Sequence, residues 1–92
     1  MSEVRQTVTI VNKRGLHARA SAKFVGAVAE LPEGVSVRVA KDANDAAGGS
    51  ILGLMMLGAA KGDSVDVIVS GDNADGVLGQ LVGLIEDGFG EE

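Results

Sequence analysis

The chain has 92 residues, of which 46% are hydrophobic and 2% aromatic, with no cysteine, one histidine and a formal net charge of −5. These values exclude disulfide staples, thiolate metal sites and the common His-based zinc constellations, and an acidic balance argues against a nucleic-acid partner, which needs a basic face. The N-terminus, Met1-Ser2-Glu3-Val4-Arg5, lacks the apolar core of a signal peptide, and the longest uncharged run, 46–60, is too short and glycine-rich to span a bilayer, so one soluble, cytoplasmic, monomeric domain over residues 1–92 is expected.

Thr7-Val8-Thr9-Ile10-Val11 alternates, with Val8 and Ile10 on one face, and predicts a half-buried strand. From Ala18 the period becomes helical: Ala18, Ala22, Val25 and Ala29 recur on one face, with Phe24 and Val28 beside them. Pro32 ends this helix, because proline disfavours helical geometry in the residue before it. Val35-Ser36-Val37-Arg38-Val39 is a second strand, residues 41–45 suggest a hairpin turn, and Ala46-Ala47 a short edge strand. Ser50 then stands as N-cap before the apolar run Ile51 to Leu57, which Gly58 closes, favouring a short helix. Ser64 to Val69 alternates again. From Ala74, the residues Val77, Leu78, Leu81, Val82, Ile85 and Phe89 mark a last amphipathic helix, with Glu91 and Glu92 fraying beyond it.

The order β-α-β-β-α-β-α predicts an α+β fold, an open-faced two-layer sandwich: a four-stranded sheet with three helices on one face and Thr7, Thr9, Arg38 and Asp66 on the face open to water. With only Phe24 and Phe89 as aromatics, the core is expected to be Val, Leu, Ile, Ala and Met.

His17 is the candidate for chemistry. It falls where the strand pattern gives way to the helix pattern, at the N-cap position, where Ser, Thr, Asp and Asn are the favoured residues. A broken local rule at a helix start points to function. Residues 1–29 hold five Lys/Arg and one acidic residue, against three and twelve in residues 30–92, and Lys13, Arg14, Arg19 and Lys23 surround the histidine. The cluster reads as a solvated face, an anion site or a docking patch for an acidic protein. First-turn N–H groups, the positive end of the helix dipole and the Arg19 guanidinium would converge on an anion there. A neutral imidazole, with a reference pKa of ~6.5, is a competent nucleophile toward phosphorus near neutrality. Spacing alone equally allows a surface histidine in a turn.

Gly15-Leu16-His17-Ala18-Arg19 resembles the active-site motif of the HPr family, the histidine-containing phosphocarriers of the bacterial phosphotransferase system. Ser50-Ile51-Leu52-Gly53-Leu54-Met55-Met56-Leu57-Gly58 is similar to the second motif of that family, in register with the first, and the likeness extends over residues 4–89. The resemblance implies a βαββαβα sandwich and a stoichiometric carrier without a cofactor. In it, His17 would take a phosphoryl group on Nδ1 from phosphorylated Enzyme I, with phosphoenolpyruvate as ultimate donor, and pass it to an EIIA-type protein. Arg19 would pair with the phosphoryl oxygens, and the backbone amides of Ala18 and Arg19 would cap them.

The resemblance also implies that Ser50 is a regulatory phosphorylation site where a bifunctional HPr kinase/phosphorylase exists. From spacing alone Ser50 is an ordinary N-cap. Of the six apolar residues Ile51, Leu52, Leu54, Met55, Met56 and Leu57, four are expected in the core. The rest, including Leu52 and Met56, would form an exposed docking patch beside Arg14 and Lys23. The family usually has proline where this chain has Ala20, a change expected to alter phosphohistidine stability or partner choice without abolishing transfer. Two competing readings are a ligand-sensing regulatory domain of ferredoxin-like topology, with the same β-α-β-β-α-β start, and a plain adaptor.

Overall fold

The structure, a computed structural model, describes residues 3–91. Strand β1 (Glu3–Thr9) is followed by α1 (Ala18–Ala29), β2 (Ser36–Lys41), β3 (Asn44–Ala47), α2 (Ile51–Met56), β4 (Ser64–Ser70) and α3 (Ala74–Glu86), with a 3-10 turn at Gly88–Gly90. The strands form one sheet in the order β1-β4-β2-β3, every pair antiparallel. This is the expected open-faced sandwich. Among the described residues no helix is long and apolar enough to cross a membrane.

Alternation in β2 and β4 fixes which sheet face meets the helices. Val37, Val39, Val65, Val67 and Val69 are buried there with Val8 of β1 and Ala46 of β3. Ile68 points the other way yet is only 5% exposed. It lies directly opposite Arg5 on one side and Arg38 on the other. The open face is otherwise polar. Thr7 and Arg5 both donate to the Asp66 carboxylate, at 2.6 and 2.9 Å, and Arg38 pairs with Asp45 at 2.7 Å. The Thr7 hydroxyl hydrogen bond, opposed by burial and aided by Arg5, holds Asp66 below the usual carboxylate value.

Four expectations need correction. Strand β1 starts at Glu3 and ends at Thr9, because pairing with β4 extends it back through a segment with no alternating signal; Ile10 is buried past its end and Val11 is exposed. The inner face of α1 is Ala20, Ser21 and Phe24, whereas Ala18, Ala22 and Ala29 are exposed. Alanine carries too little apolar surface to decide a helix's rotation, and the Phe24 ring decides it. The core takes no methionine from α2: Met55 is 40% exposed, whereas the exposure of Met56 and the burial of both phenylalanines follow the expectation. Of the six apolar residues in and just after α2 only Leu54 and Leu57 are buried, since a helix of six residues packed on α1 and β3 can hide only one narrow stripe.

Gly15 shapes the loop that leads to His17. Its φ is +63°, and a Cβ there would stand 2.2 Å from the Ala59 carbonyl oxygen, the same oxygen that accepts from the Leu16 N–H at 3.0 Å. Gly15→Ala should therefore destabilise the fold by about 2–4 kcal/mol, read as a lower denaturant midpoint at unchanged slope.

Candidate functional site

The loop from Ile10 to His17 is stitched to the turn preceding β4. The Ile10 N–H donates to the Asp63 carbonyl at 2.8 Å, the Gly62 N–H to the Ile10 carbonyl at 2.8 Å, and the Leu16 N–H to the Ala59 carbonyl. Asn12, 2% exposed, braces the loop from inside through Nδ2 donating to the Gly15 carbonyl at 2.9 Å. The chain thus reaches α1 along one fixed path.

His17 is the N-cap of α1, as its position predicts, with extended φ/ψ of −76° and −178°. Its ring does what a serine or aspartate oxygen does elsewhere: Nδ1 accepts the Arg19 backbone N–H at 3.2 Å. The Ser21 N–H is taken by the His17 carbonyl at 2.9 Å, and the Ser21 hydroxyl by the Leu16 carbonyl at 3.2 Å. The remaining first-turn amides of α1 have no carbonyl of their own helix to bond.

The other ring nitrogen has a partner that sequence reasoning missed. His17 Nε2 lies 2.7 Å from Glu91 Oε2, with the two side chains 21% and 19% exposed. The Asn12 Nδ2 also reaches Glu91 Oε1, at 3.1 Å. An ionised carboxylate only accepts, so Nε2 carries the ring proton and Nδ1 keeps its lone pair toward the helix N-terminus. Burial alone would raise the Glu91 pKa. Hydrogen bonds from Asn12 and His17 and the nearby Lys23 charge outweigh it and leave the carboxyl below its ordinary value.

Glu91 gets there because the chain does not stay helical. Helix α3 stops at Glu86, and Gly88, Phe89 and Gly90 all take positive φ, of 65°, 59° and 73°. Phe89 is buried, as its hydrophobic spacing suggests, but from this turn rather than from the helix. The Lys23 ammonium donates to the Phe89 carbonyl at 2.7 Å, which fixes the turn against α1. Glu91 is therefore an ordered member of the site and not a frayed end, while Glu92 lies outside the described residues. No periodicity in the sequence could signal this contact, which joins residues 74 positions apart.

Lys13, Arg14, Arg19 and Lys23 line one open basin with His17, Gly90 and Glu91, so the four clustered cations do converge on the histidine. Ala18 and Arg19 occupy the first turn of α1, and Ala20 is completely buried at its third position. Ser50 lies elsewhere. Its hydroxyl caps α2 by accepting the Gly53 N–H at 2.9 Å, and it lines a separate hollow with Asn44, Asp45, Ala46, Ala47, Gly53, Met56 and Leu57. Leu52 and Met56, at 67% and 77%, are the most exposed large apolar side chains of α2; Ile51 and Met55 are also exposed.

Because the folded-state pKa of Glu91 is lowered, its contribution to stability is present above the ordinary glutamate range and is lost as pH falls through the lowered value. Glu91→Gln should thus flatten part of the acid limb of stability against pH, leaving a smaller difference between pH 7 and pH 3 in chemical denaturation than the unmodified chain shows.

The family model described as the PTS HPr component phosphorylation site matches residues 4–87. Phosphocarrier protein HPr of Pseudomonas aeruginosa is 44% identical over 85 residues, covering 91% of this chain and 92% of that protein. Phosphocarrier protein NPr of Escherichia coli is 34% identical over 92 residues, covering 97% and 98%. Among solved structures, HPr from Thermoanaerobacter tengcongensis superposes with a TM-score of 0.86 at 40% identity, covering 100% of this chain and 99% of that one. HPr from Bacillus anthracis gives 0.85 at 26% identity, covering 92% and 99%. The chain belongs to the HPr family, the phosphocarriers of the phosphotransferase system.

Proposed function

We propose that this chain carries a phosphoryl group on Nδ1 of His17, taken from phosphorylated Enzyme I and delivered to an EIIA-type protein in the cytoplasm, as a stoichiometric carrier with no cofactor. The observation that supports this reading most is the orientation of the imidazole: Nδ1 bears the lone pair and faces the N-terminus of α1, inside a basin lined by Lys13, Arg14, Arg19 and Lys23. The ferredoxin-like sensor is not favoured by the family match.

In the transfer, the Nδ1 lone pair attacks phosphorus as the bond to the donor breaks. The Arg19 N–H, at 3.2 Å a loose partner for Nδ1, is released to a phosphoryl oxygen. The Ala18 amide and the Arg19 guanidinium take the others, so the charge meets donors already aimed at it. Arg14, Lys23, Leu52 and Met56 serve as the docking surface: exposed apolar side chains on α2 and basic residues in the basin suit small, partly electrostatic interfaces that release quickly. Lys23 does so while tethered to the Phe89 carbonyl.

Ser50 is the proposed regulatory site, phosphorylated where an HPr kinase/phosphorylase is present. A phosphate on its hydroxyl would replace the cap to Gly53 and place about −1.5 to −2 charges beside the exposed Met56 side chain. That weakens docking without moving the backbone.

Incubation with Enzyme I and phosphoenolpyruvate should add the mass of about one phosphate, acid-labile and absent in His17→Ala; no gain overturns the reading. Arg19→Ala should slow acceptance on the order of 10²-fold, the usual effect of removing one donor to a developing charge. Ser50→Asp should leave the far-ultraviolet circular dichroism unchanged and raise the KM of Enzyme I for this protein.

A further inference from the structure

The chain takes an unusual backbone path that brings Glu91 to His17. Three consecutive residues, Gly88 to Gly90, hold left-handed φ, and the middle one is a phenylalanine, for which that region is unfavourable. The turn is secured on three sides: the Phe89 ring is buried, the Phe89 carbonyl is held by Lys23, and the Glu91 N–H donates to the Gly88 carbonyl at 3.0 Å. Its product is one carboxylate, with Oε1 held by Asn12 and Oε2 left to face His17 Nε2.

We propose that Glu91 is a positioning residue for phosphoryl transfer, whose carboxylate keeps a proton on Nε2 of His17 in both the free and the phosphorylated protein. The inference rests on the carrier reading above and adds to it a residue outside the histidine motif. In the free protein the Nε2–H bond to Glu91 fixes the tautomer in which Nδ1 is the nucleophile. When Nδ1 forms its bond to phosphorus and the donor leaves with the bonding electron pair, the ring becomes an imidazolium that still carries the Nε2 proton. Its positive charge sits against the Glu91 carboxylate.

Delivery reverses this step. The N–P bond breaks toward nitrogen as the acceptor bonds to phosphorus. With Nε2 protonated, the leaving group is a neutral imidazole. Without that proton it would be imidazolate, a far more basic and poorer leaving group. The proton on Nε2 therefore decides whether the phosphoryl group remains transferable.

The surroundings make the carboxylate necessary. Lys13 and Arg14 face the basin from the loop before α1, Arg19 and Lys23 from α1, and Glu91 from the C-terminal turn. The four cations favour the phosphoryl oxygens but oppose a positive charge on the ring. Among the described residues lining the basin, Glu91 is the sole group that stabilises it. Asn12, buried beneath, contributes a neutral donor that aims the carboxylate without competing for the proton.

The test is the pH dependence of phosphohistidine hydrolysis in the full chain, phosphorylated by Enzyme I and phosphoenolpyruvate, with Glu91→Gln and Glu91→Ala for comparison. Glutamine can accept the same hydrogen bond without the charge. The pH at which hydrolysis slows as the Nε2 proton is lost should fall by about one unit in Glu91→Gln. Nitrogen-15 spectra of the unphosphorylated proteins should show Nε2–H retained in Glu91→Gln and a mixture of tautomers in Glu91→Ala. A Glu91→Gln midpoint equal to that of the unmodified chain overturns the proposal while leaving the carrier reading intact. Failure of the unmodified chain to take phosphate on His17 overturns the carrier reading itself.

Discussion

The imidazole of His17 is asked to do two things with two nitrogens. In the proposed carrier, one nitrogen must keep an electron pair directed at the positive end of a helix, and the ring must hold one orientation while it does so. A helix N-cap satisfies the first demand, because the Arg19 N–H draws the Nδ1 lone pair toward the first turn of α1. The second needs a partner for Nε2, and the Glu91 carboxylate at 2.7 Å is that partner. The ring is thus gripped between the start of one helix and the far end of the chain, and the loop, the C-terminal turn and the basic basin are all arranged around this grip.

The two faces of the sheet divide the work. The helical face holds the hydrophobic core, whose best-buried members include Val67 and Val69 of β4, Leu81 of α3, Leu54 of α2, Ala20 of α1 and the two phenylalanines. The opposite face is closed by cross-strand polar pairs, with Asp66 at the centre of one of them. The residues of the proposed phosphate site sit on neither face but at an end of the helical layer, where α1 begins and the chain past α3 returns. Their cations stay exposed and do not have to be buried with the core. A phosphoryl group on His17, as proposed, would therefore be gained and lost without burying or freeing a charge in the interior.

Much of this was legible in the order of residues. Histidine at a strand-to-helix junction, glycine two positions before it, serine ahead of a short apolar run and alternation in the second and fourth strands are all local signals, and each corresponds to the local structure found. The failures have a common cause. The rotation of α1, the outward turn of Ile51 and Met55 and the ordering of Glu91 depend on which surfaces are covered by distant segments. Alanine spacing cannot report that Phe24 alone turns α1 inward. A helical count from Ala74 to Phe89 cannot report that three left-handed residues interrupt it.

By itself, the sequence determined the element order, the cap positions of His17 and Ser50, the glycine that makes the His17 loop possible and the excess of cations around the histidine. Each follows from interactions spanning a few residues, which a linear pattern encodes directly. The tertiary structure decided which nitrogen of His17 is free, because that depends on a carboxylate 74 residues away and on the buried Asn12 that aims it. A ring tautomer is set by what touches each nitrogen, and only the folded chain brings those atoms together.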